Sequence, residues 1–331
     1  MYLASKKIYH HRATSFTAYD YGTKLSYTNS EYKDIVGIGN AMVDILSYSN
    51  EAFLSSHGMV KDGMTLVDSK EITSLRKAVG PHTNMPGGSV ANTMAGIAAL
   101  GGTGTYIGKV HNDQMGKVFH NKLESLGIKM ANLPTKKGLP TAQCIVIITP
   151  NEHRSMAVYL GATTELGPED ISAEVVNDHR ITYLEGYLLD SPRGEETILK
   201  ATEYSKSAGH KVALTLSDSM CVERHRTSFL KLIRKYVDII FGNEQEITSL
   251  YNVKTFNKAL ENAATDCKFV ALTRGAKGST IISNGDKLVV KPVKIDRVVD
   301  VTGAGDLYAS GILFGITHGY KLEDIGAIGS I

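Results

Sequence analysis

The segment Asp300-Val-Thr-Gly-Ala-Gly-Asp306 is followed at once by LYASGILFGITHG, an apolar run with helical spacing. Glycines directly before a helix let the backbone turn sharply and aim N–H groups at one point, where the positive end of the helix dipole adds to the field. Such a segment is suited to hold an anion. An aspartate beside it would repel a phosphate, unless its task is to accept a proton from an attacking hydroxyl. Asp306 in that role would activate an alcohol for phosphoryl transfer. A Gly-rich turn in which Asp306 merely satisfies backbone donors at a helix start is the bland alternative, and the motif alone leaves it open.

Two more segments carry chemistry. Asn84-Met-Pro-Gly-Gly-Ser-Val-Ala-Asn92 places Gly87 and Gly88 at a helix start with Asn92 one turn in, suited to close approach of a polar ligand. Gly37-Ile-Gly39-Asn40-Ala-Met-Val-Asp44 ends an apolar strand in a carboxylate that could accept hydrogen bonds from two vicinal hydroxyls. Taken singly, Gly87-Gly88 reads equally as a tight turn and Asp44 as a solvated strand end.

The elements around these segments alternate. Strands are expected at Ile35 to Ile38, Thr105 to Ile107, Ile181 to Leu184, Lys211 to Leu216, Val237 to Phe241 and Phe269 to Thr273. Helical stretches lie around Ser89 to Leu100, Gln114 to Leu126, Glu195 to Ser207, Arg224 to Lys235 and Asn257 to Thr265. Such alternation predicts an α/β fold, a doubly wound and mainly parallel sheet with helices on both faces. Asp44 to Asp68, which ends in the strand-like MTLVD, and Thr141 to Leu160, which reads as two strands joined at Pro150-Asn151-Glu152, break the pattern. They predict a small β-sheet lid beside the core, from inserted segments at about 45–70 and 138–165. Ser279 to Val293 reads as a hairpin turning at Asn284-Gly285-Asp286.

A chain of 331 residues with 42% hydrophobic and 21% charged residues can bury a large core. Its 36 basic and 34 acidic residues give no field favouring nucleic acid or an anionic membrane. No apolar run of about 18 residues predicts a membrane span. Cys144, Cys221 and Cys267 show no CxxC spacing, which speaks against zinc and disulfides and points to a cytoplasmic protein. Residues 1–33 hold six of the 16 tyrosines and no acidic residue before Asp20, and read as a disordered or loosely docked extension, with a transit peptide as the alternative.

With both glycine segments present in order, the chain from about Asp34 to Ile331 resembles the ribokinase-like (PfkB) family of carbohydrate and nucleoside kinases. GIGNAMVDI, MTLVD and EHRSMAVYLGA look more like its adenosine-kinase branch. The resemblance implies an ATP-dependent kinase using Mg²⁺, with Asp306 as base and the backbone of Gly303, Ala304 and Gly305 stabilising the transferred phosphoryl group. It implies that Asp44, Gly87, Gly88 and Asn92 hold ribose hydroxyls. Asn243 and Glu246 match an N-x-x-E pattern that places Mg²⁺ through its waters. Thr273, Gly275 and Gly278 lie in a loop resembling one that contacts the nucleotide, and Arg154 could approach the phosphates on closure. Asp300 and Thr302 resemble contributors to a monovalent-cation site, for K⁺. The chain departs from the family in Val301 and in the 25 residues that follow Asp306, fewer than usual, which predicts a truncated C-terminus.

Two other nucleotide folds fail on single residues. Met42 stands where a dinucleotide fingerprint needs a small residue, and Thr103 and Val110 break a P-loop around Gly108-Lys109. The expected acceptor is adenosine, with a sugar such as ribose, or nucleoside binding without turnover, as the alternatives. The expected assembly is a monomer or homodimer, with no nucleic-acid or membrane partner.

Overall fold

Short apolar runs bounded by turn residues build the large sheet of this chain. The computed structural model describes residues 32–150, 153–294, 301 and 303–331. Strands β1 (Lys33–Ile38), β2 (Met42–Tyr48), β3 (Met64–Leu66), β4 (His82–Gly87), β5 (Gly104–Ile107), β6 (Lys129–Met130) and β7 (Ala142–Ile148) occupy the first half. The second half adds β8 (Arg154–Tyr159), β9 (His179–Glu185), β10 (Lys211–Thr215), β11 (Ile239–Asn243), β12 (Phe269–Thr273), β13 (Ser279–Ser283) and β14 (Asp286–Val290). Between them run α1 (Glu51–Ser56), α2 (Ser69–Ala78), α3 (Ser89–Ala99), α4 (Gln114–Ser125), α5 (Ala173–Asn177) and α6 (Gly194–Ser207). They are followed by α7 (Ser219–Lys235), α8 (Glu244–Tyr251), α9 (Phe256–Asp266), α10 (Ala304–Thr317) and α11 (Leu322–Gly329).

The nine-stranded sheet has the order β14-β13-β12-β11-β10-β9-β1-β5-β6. It is parallel from β6 to β12, and β13 and β14 close one edge antiparallel. A sheet covered on both faces needs apolar side chains on both. In β1, Val36 and Ile38 join the core under α6, α7 and α9, while Ile35 faces the side of α3, α4 and α10. The doubly wound α/β architecture is therefore present, and the hairpin turns at Asn284 and Gly285, both at positive φ.

A second sheet, in the order β3-β8-β7-β2-β4, stands beside the first. Ile45, Ile145, Ile147, Ala157 and Tyr159 bury one face against Leu54 of α1 and Ile72 and Leu75 of α2. The opposite face carries Cys144, Val146 and Val158 with half-buried Met42, Leu46 and Met156.

One expectation is corrected here. Asp44 does not end the first strand: the chain leaves the large sheet at Gly39–Ala41, and Asp44 lies within β2 of the second sheet. The reason is the Gly-Ile-Gly-Asn stretch, which breaks one apolar run into strands of two different sheets. The second sheet also includes β4, a strand at its edge where Pro86 costs no ladder hydrogen bond.

Candidate active site

Two helices begin at the same place. Gly303 caps α10 at φ 72°, a left-handed conformation that glycine adopts without strain, and Asp306 is the third residue of that helix. Helix α3 is capped by Gly88 at φ 98° and opens with Ser89. Its first turn faces Asp306. The Ser89 hydroxyl donates to Asp306 Oδ1 at 2.6 Å, and the Asn92 amide donates to Oδ2 at 3.0 Å. The Thr93 hydroxyl donates to the Asp306 carbonyl at 3.1 Å. The carboxylate is thus held by side chains of another helix rather than serving only as a local cap. Burial raises its proton affinity, and the hydrogen bonds from Ser89 and Asn92 pull it back down.

On the second sheet, Asp44 approaches the backbone of Gly87, where a Cβ would sit 2.0 Å from Asp44 Oδ1. A Cβ on Gly88 would sit 2.4 Å from the Asn40 carbonyl oxygen. Gly88 is therefore required by contact with the backbone, and a side chain at position 87 would displace the Asp44 carboxylate. Burial pushes the Asp44 carboxyl up to about 7; the charge of Asp306 adds to the rise and Arg154, at the start of β8, opposes it.

Glu185 was not anticipated from the sequence. It ends β9, is 1% exposed, and accepts from the Asn40 N–H at 2.8 Å and the Val90 N–H at 3.1 Å. It therefore ties the link between the sheets to the first turn of α3, and burial raises its carboxyl to about 7. The signal was a carboxylate ending the apolar run Ile181-Thr-Tyr-Leu-Glu185. Ser89 was also passed over, although it follows the glycine pair directly. Asn40 is 4% exposed and its side-chain oxygen has no partner among the described residues.

The expected nucleotide side lies at the carboxyl ends of β11 and β12, where Asn243 and Thr273 are register partners. Asn243 and Glu246 bond each other: Asn243 Oδ1 accepts from the Glu246 N–H, and the Glu246 carboxylate accepts from the Asn243 backbone N–H and side-chain amide. This reciprocal capping box fixes the start of α8. Burial pushes the Glu246 carboxyl up to about 7, with Asp218 and Asp306 adding to the rise. Arg274 clamps the next loop to α8 through a two-point contact with Glu244 at 3.0 and 3.2 Å, and the Arg274 N–H donates to the Gly278 carbonyl. Gly275 is exposed at the loop tip. Asp300 and Thr302 lie outside the described residues.

A hydroxyl brought between Asp44 and Asp306 would meet a proton acceptor beside the start of α10, where the Ala304 N–H donates to the Val301 carbonyl at 3.1 Å, an acceptor that an arriving anion would have to replace. Ala304 and Gly305 are exposed there, and a Cβ on Gly305 would meet nothing within 4 Å. That surface can receive an anion. Among the described residues no three acidic, histidine or cysteine side chains gather into a metal cage. The Glu246 carboxylate, which feels the charge of Asp306, instead suits Mg²⁺ that arrives on a polyphosphate with most of its waters.

The pfkB family carbohydrate kinase model matches residues 64–330. An adenosine kinase structure from Sinorhizobium meliloti is 42% identical, with 91% of this chain and 92% of that one covered at a TM-score of 0.85. A probable sugar kinase structure from Rhizobium etli CFN 42 gives the same values. Adenosine kinase of Saccharomyces cerevisiae is 25% identical over 312 residues, 87% of this chain and 90% of its own length. Among the described residues, no helix is long and apolar enough to cross a membrane.

Proposed function

Since the chain belongs to the pfkB family of carbohydrate kinases and is an ATP-dependent kinase, we propose that it transfers the γ-phosphoryl group of ATP to the primary hydroxyl of adenosine, with Asp306 as general base. The observation that carries the acceptor is the surface around Asp44. Cross-strand register puts Met85, Asp44, Cys144, Val158 and Leu66 in one row on one face of the second sheet. Met42, Leu46, Val146 and Met156 flank the row on the same face. A single carboxylate in an apolar field suits a ligand with a vicinal diol at one point and a planar, weakly polar ring beside it. Ribose alone would leave that field wet.

In this reading, residues 34–331 form the kinase unit and the second sheet closes over the acceptor as a lid. Asp44, Gly87, Gly88 and Asn92 hold the ribose, with Asn92 exchanging its bond to Asp306 for the sugar. ATP·Mg²⁺ lies along the carboxyl ends of β11 and β12, near Asn243, Glu246, Thr273, Gly275 and Gly278. Closure brings Arg154 to the phosphates, excludes water and aligns the hydroxyl with the γ-phosphorus. Asp306 takes the hydroxyl proton as the new O–P bond forms and the bond from the γ-phosphorus to the bridging oxygen breaks, ADP leaving with that oxygen, and the N–H groups of Gly303, Ala304 and Gly305 stabilise charge on the transferred group. Asp300 and Thr302 would hold K⁺.

The likeness to a probable sugar kinase at the same identity supports ribose or a related furanose as the second reading. ADP release from ATP·Mg²⁺ with adenosine, other nucleosides, ribose and fructose in parallel decides between them. Stimulation by adenosine alone is the expected result; stimulation by ribose or fructose alone would sink the nucleoside assignment, and none by any acceptor would favour binding without turnover.

A further inference from the structure

The two donors that grip Asp306 differ in what they are free to do. Asn92 is also assigned to the acceptor's hydroxyls, and in the exchange proposed above its amide leaves Oδ2 when the acceptor binds. Ser89 opens α3, and its surroundings give it no such exchange. The Val90 N–H beside it is bonded to buried Glu185, and the capping glycine before it is pressed against the Asn40 carbonyl. Thr93, one turn on, is bonded to the Asp306 carbonyl. The start of α3 is therefore fixed to the end of β9 and to the link between the sheets, and the Thr93 hydroxyl ties it to the backbone of α10.

We propose that Ser89 is a positioning residue for Asp306: its hydroxyl holds Oδ1 throughout the cycle while Asn92 turns to the acceptor, leaving Oδ2 aimed at the hydroxyl to be deprotonated. This rests on the reading of Asp306 as base.

The electrostatic setting explains why such a donor is needed. Asp306 shares its surroundings with Asp44 on β2, Tyr183 and Glu185 on β9 and Glu246 on α8, and each of these feels its charge. The cation from this side, Arg154 on β8, acts on Asp44. Burial in acidic company favours the protonated, inactive form of a base. Once Asn92 has turned away, Ser89 is the donor of the pair that still favours the carboxylate. Its loss should move the acid limb of turnover to higher pH by about one unit, since a hydrogen bond to a charged group is worth that much or more.

Ser89→Thr and Ser89→Val have matching shapes and differ in the hydroxyl, and Ser89→Ala, which adds no volume, serves if the valine variant folds poorly. Steady-state rates from pH 5.5 to 9, with adenosine or else the acceptor that stimulates ADP release, give the readout. The threonine variant should keep the wild-type profile. Both the valine and alanine variants should lose about tenfold in kcat at neutral pH and shift the acid limb upward, with KM for the acceptor within about threefold. Asn92→Ala should do the converse and raise KM. An unshifted profile in valine and alanine variants, or a raised KM with unchanged kcat, would overturn the role of Ser89 while an inactive Asp306→Asn leaves the base assignment standing. Undiminished turnover in Asp306→Asn would remove both.

Discussion

Helices α8 and α10 both begin at the carboxyl edge of the large sheet, and both carry a carboxylate at their third residue, Glu246 and Asp306. Their surroundings differ. Asn243 caps α8 with its side chain, and Glu246 reaches back to Asn243, so each satisfies the other within four residues. Glycine caps α10 and offers no side chain, while Asp306 is held by Ser89 and Asn92, more than 200 positions away in the chain. A local cap secures a helix. A cap withheld leaves N–H groups for a ligand and hands the carboxylate's orientation to tertiary structure. The same position is thus held by a local cap in one helix and aimed by a distant helix in the other.

That contrast can be broken at either end. Asp306→Asn keeps the shape and removes the base; turnover should fall by about 10²- to 10⁴-fold with acceptor affinity nearly unchanged in equilibrium binding. A matching loss of affinity would make Asp306 a structural residue like its counterpart. Gly87→Ala probes the acceptor side: its methyl would collide with Asp44, so KM for the acceptor should rise at least roughly tenfold, beyond the change in kcat. Asn243→Ala removes the capping box and should cost about 1 kcal/mol, seen as a fall of about 2 °C in Tm, with kcat reduced less than tenfold. If its turnover fell as far as that of Asp306→Asn, the division between the two helices would be wrong.

The smallest effect concerns pH. Asp44, Glu185 and Glu246 are all raised to about 7 in the folded chain, well above their ordinary values. As pH rises from about 4.5 to 7 the unfolded chain releases these protons first, so stability from these groups declines across that window and then levels off. Asp44→Asn removes one such group. In thermal unfolding its Tm should exceed that of the wild type by roughly 2 °C at pH 8 and match it near pH 4, while its KM for the acceptor rises. A variant no more stable at pH 8 would show that the Asp44 carboxylate is not under strain from burial.

The buried parallel strands were legible because each is a short apolar run bounded by turn residues, and the starts of α3 and α10 because glycine pairs precede helical spacing. Strand β4 was not, since Asn84-Met-Pro-Gly-Gly carries turn chemistry and only tertiary pairing with β2 makes it a strand. Helix α2 was hidden beside MTLVD, although Asp68 and Glu71 spell the capping box that starts it. The grip of Ser89 on Asp306 is a contact across most of the chain, which no local pattern encodes. Glu185 escaped because a carboxylate at a strand end is commonly solvated, and only the fold shows two backbone N–H groups converging on it.

The links between the sheets cross in two pressed pairs, Gly88 against the Asn40 carbonyl and Gly161 against that of Pro140, each leaving no room for a Cβ. Every strand that crosses there meets the second sheet at the same end, near Met42, Gly87, Ala142 and Leu160. In the closure proposed above, these contacts would serve as the fulcrum. Asp44 lies two residues along β2 from it, about 7 Å, whereas Arg154 lies six residues from Leu160 along β8, about 20 Å away. Any swing of the sheet about that line therefore carries Arg154 about three times as far as Asp44. The lever arm is long for the cation and short for the carboxylate, so the closure proposed above would move the carboxylate only about a third as far as the cation.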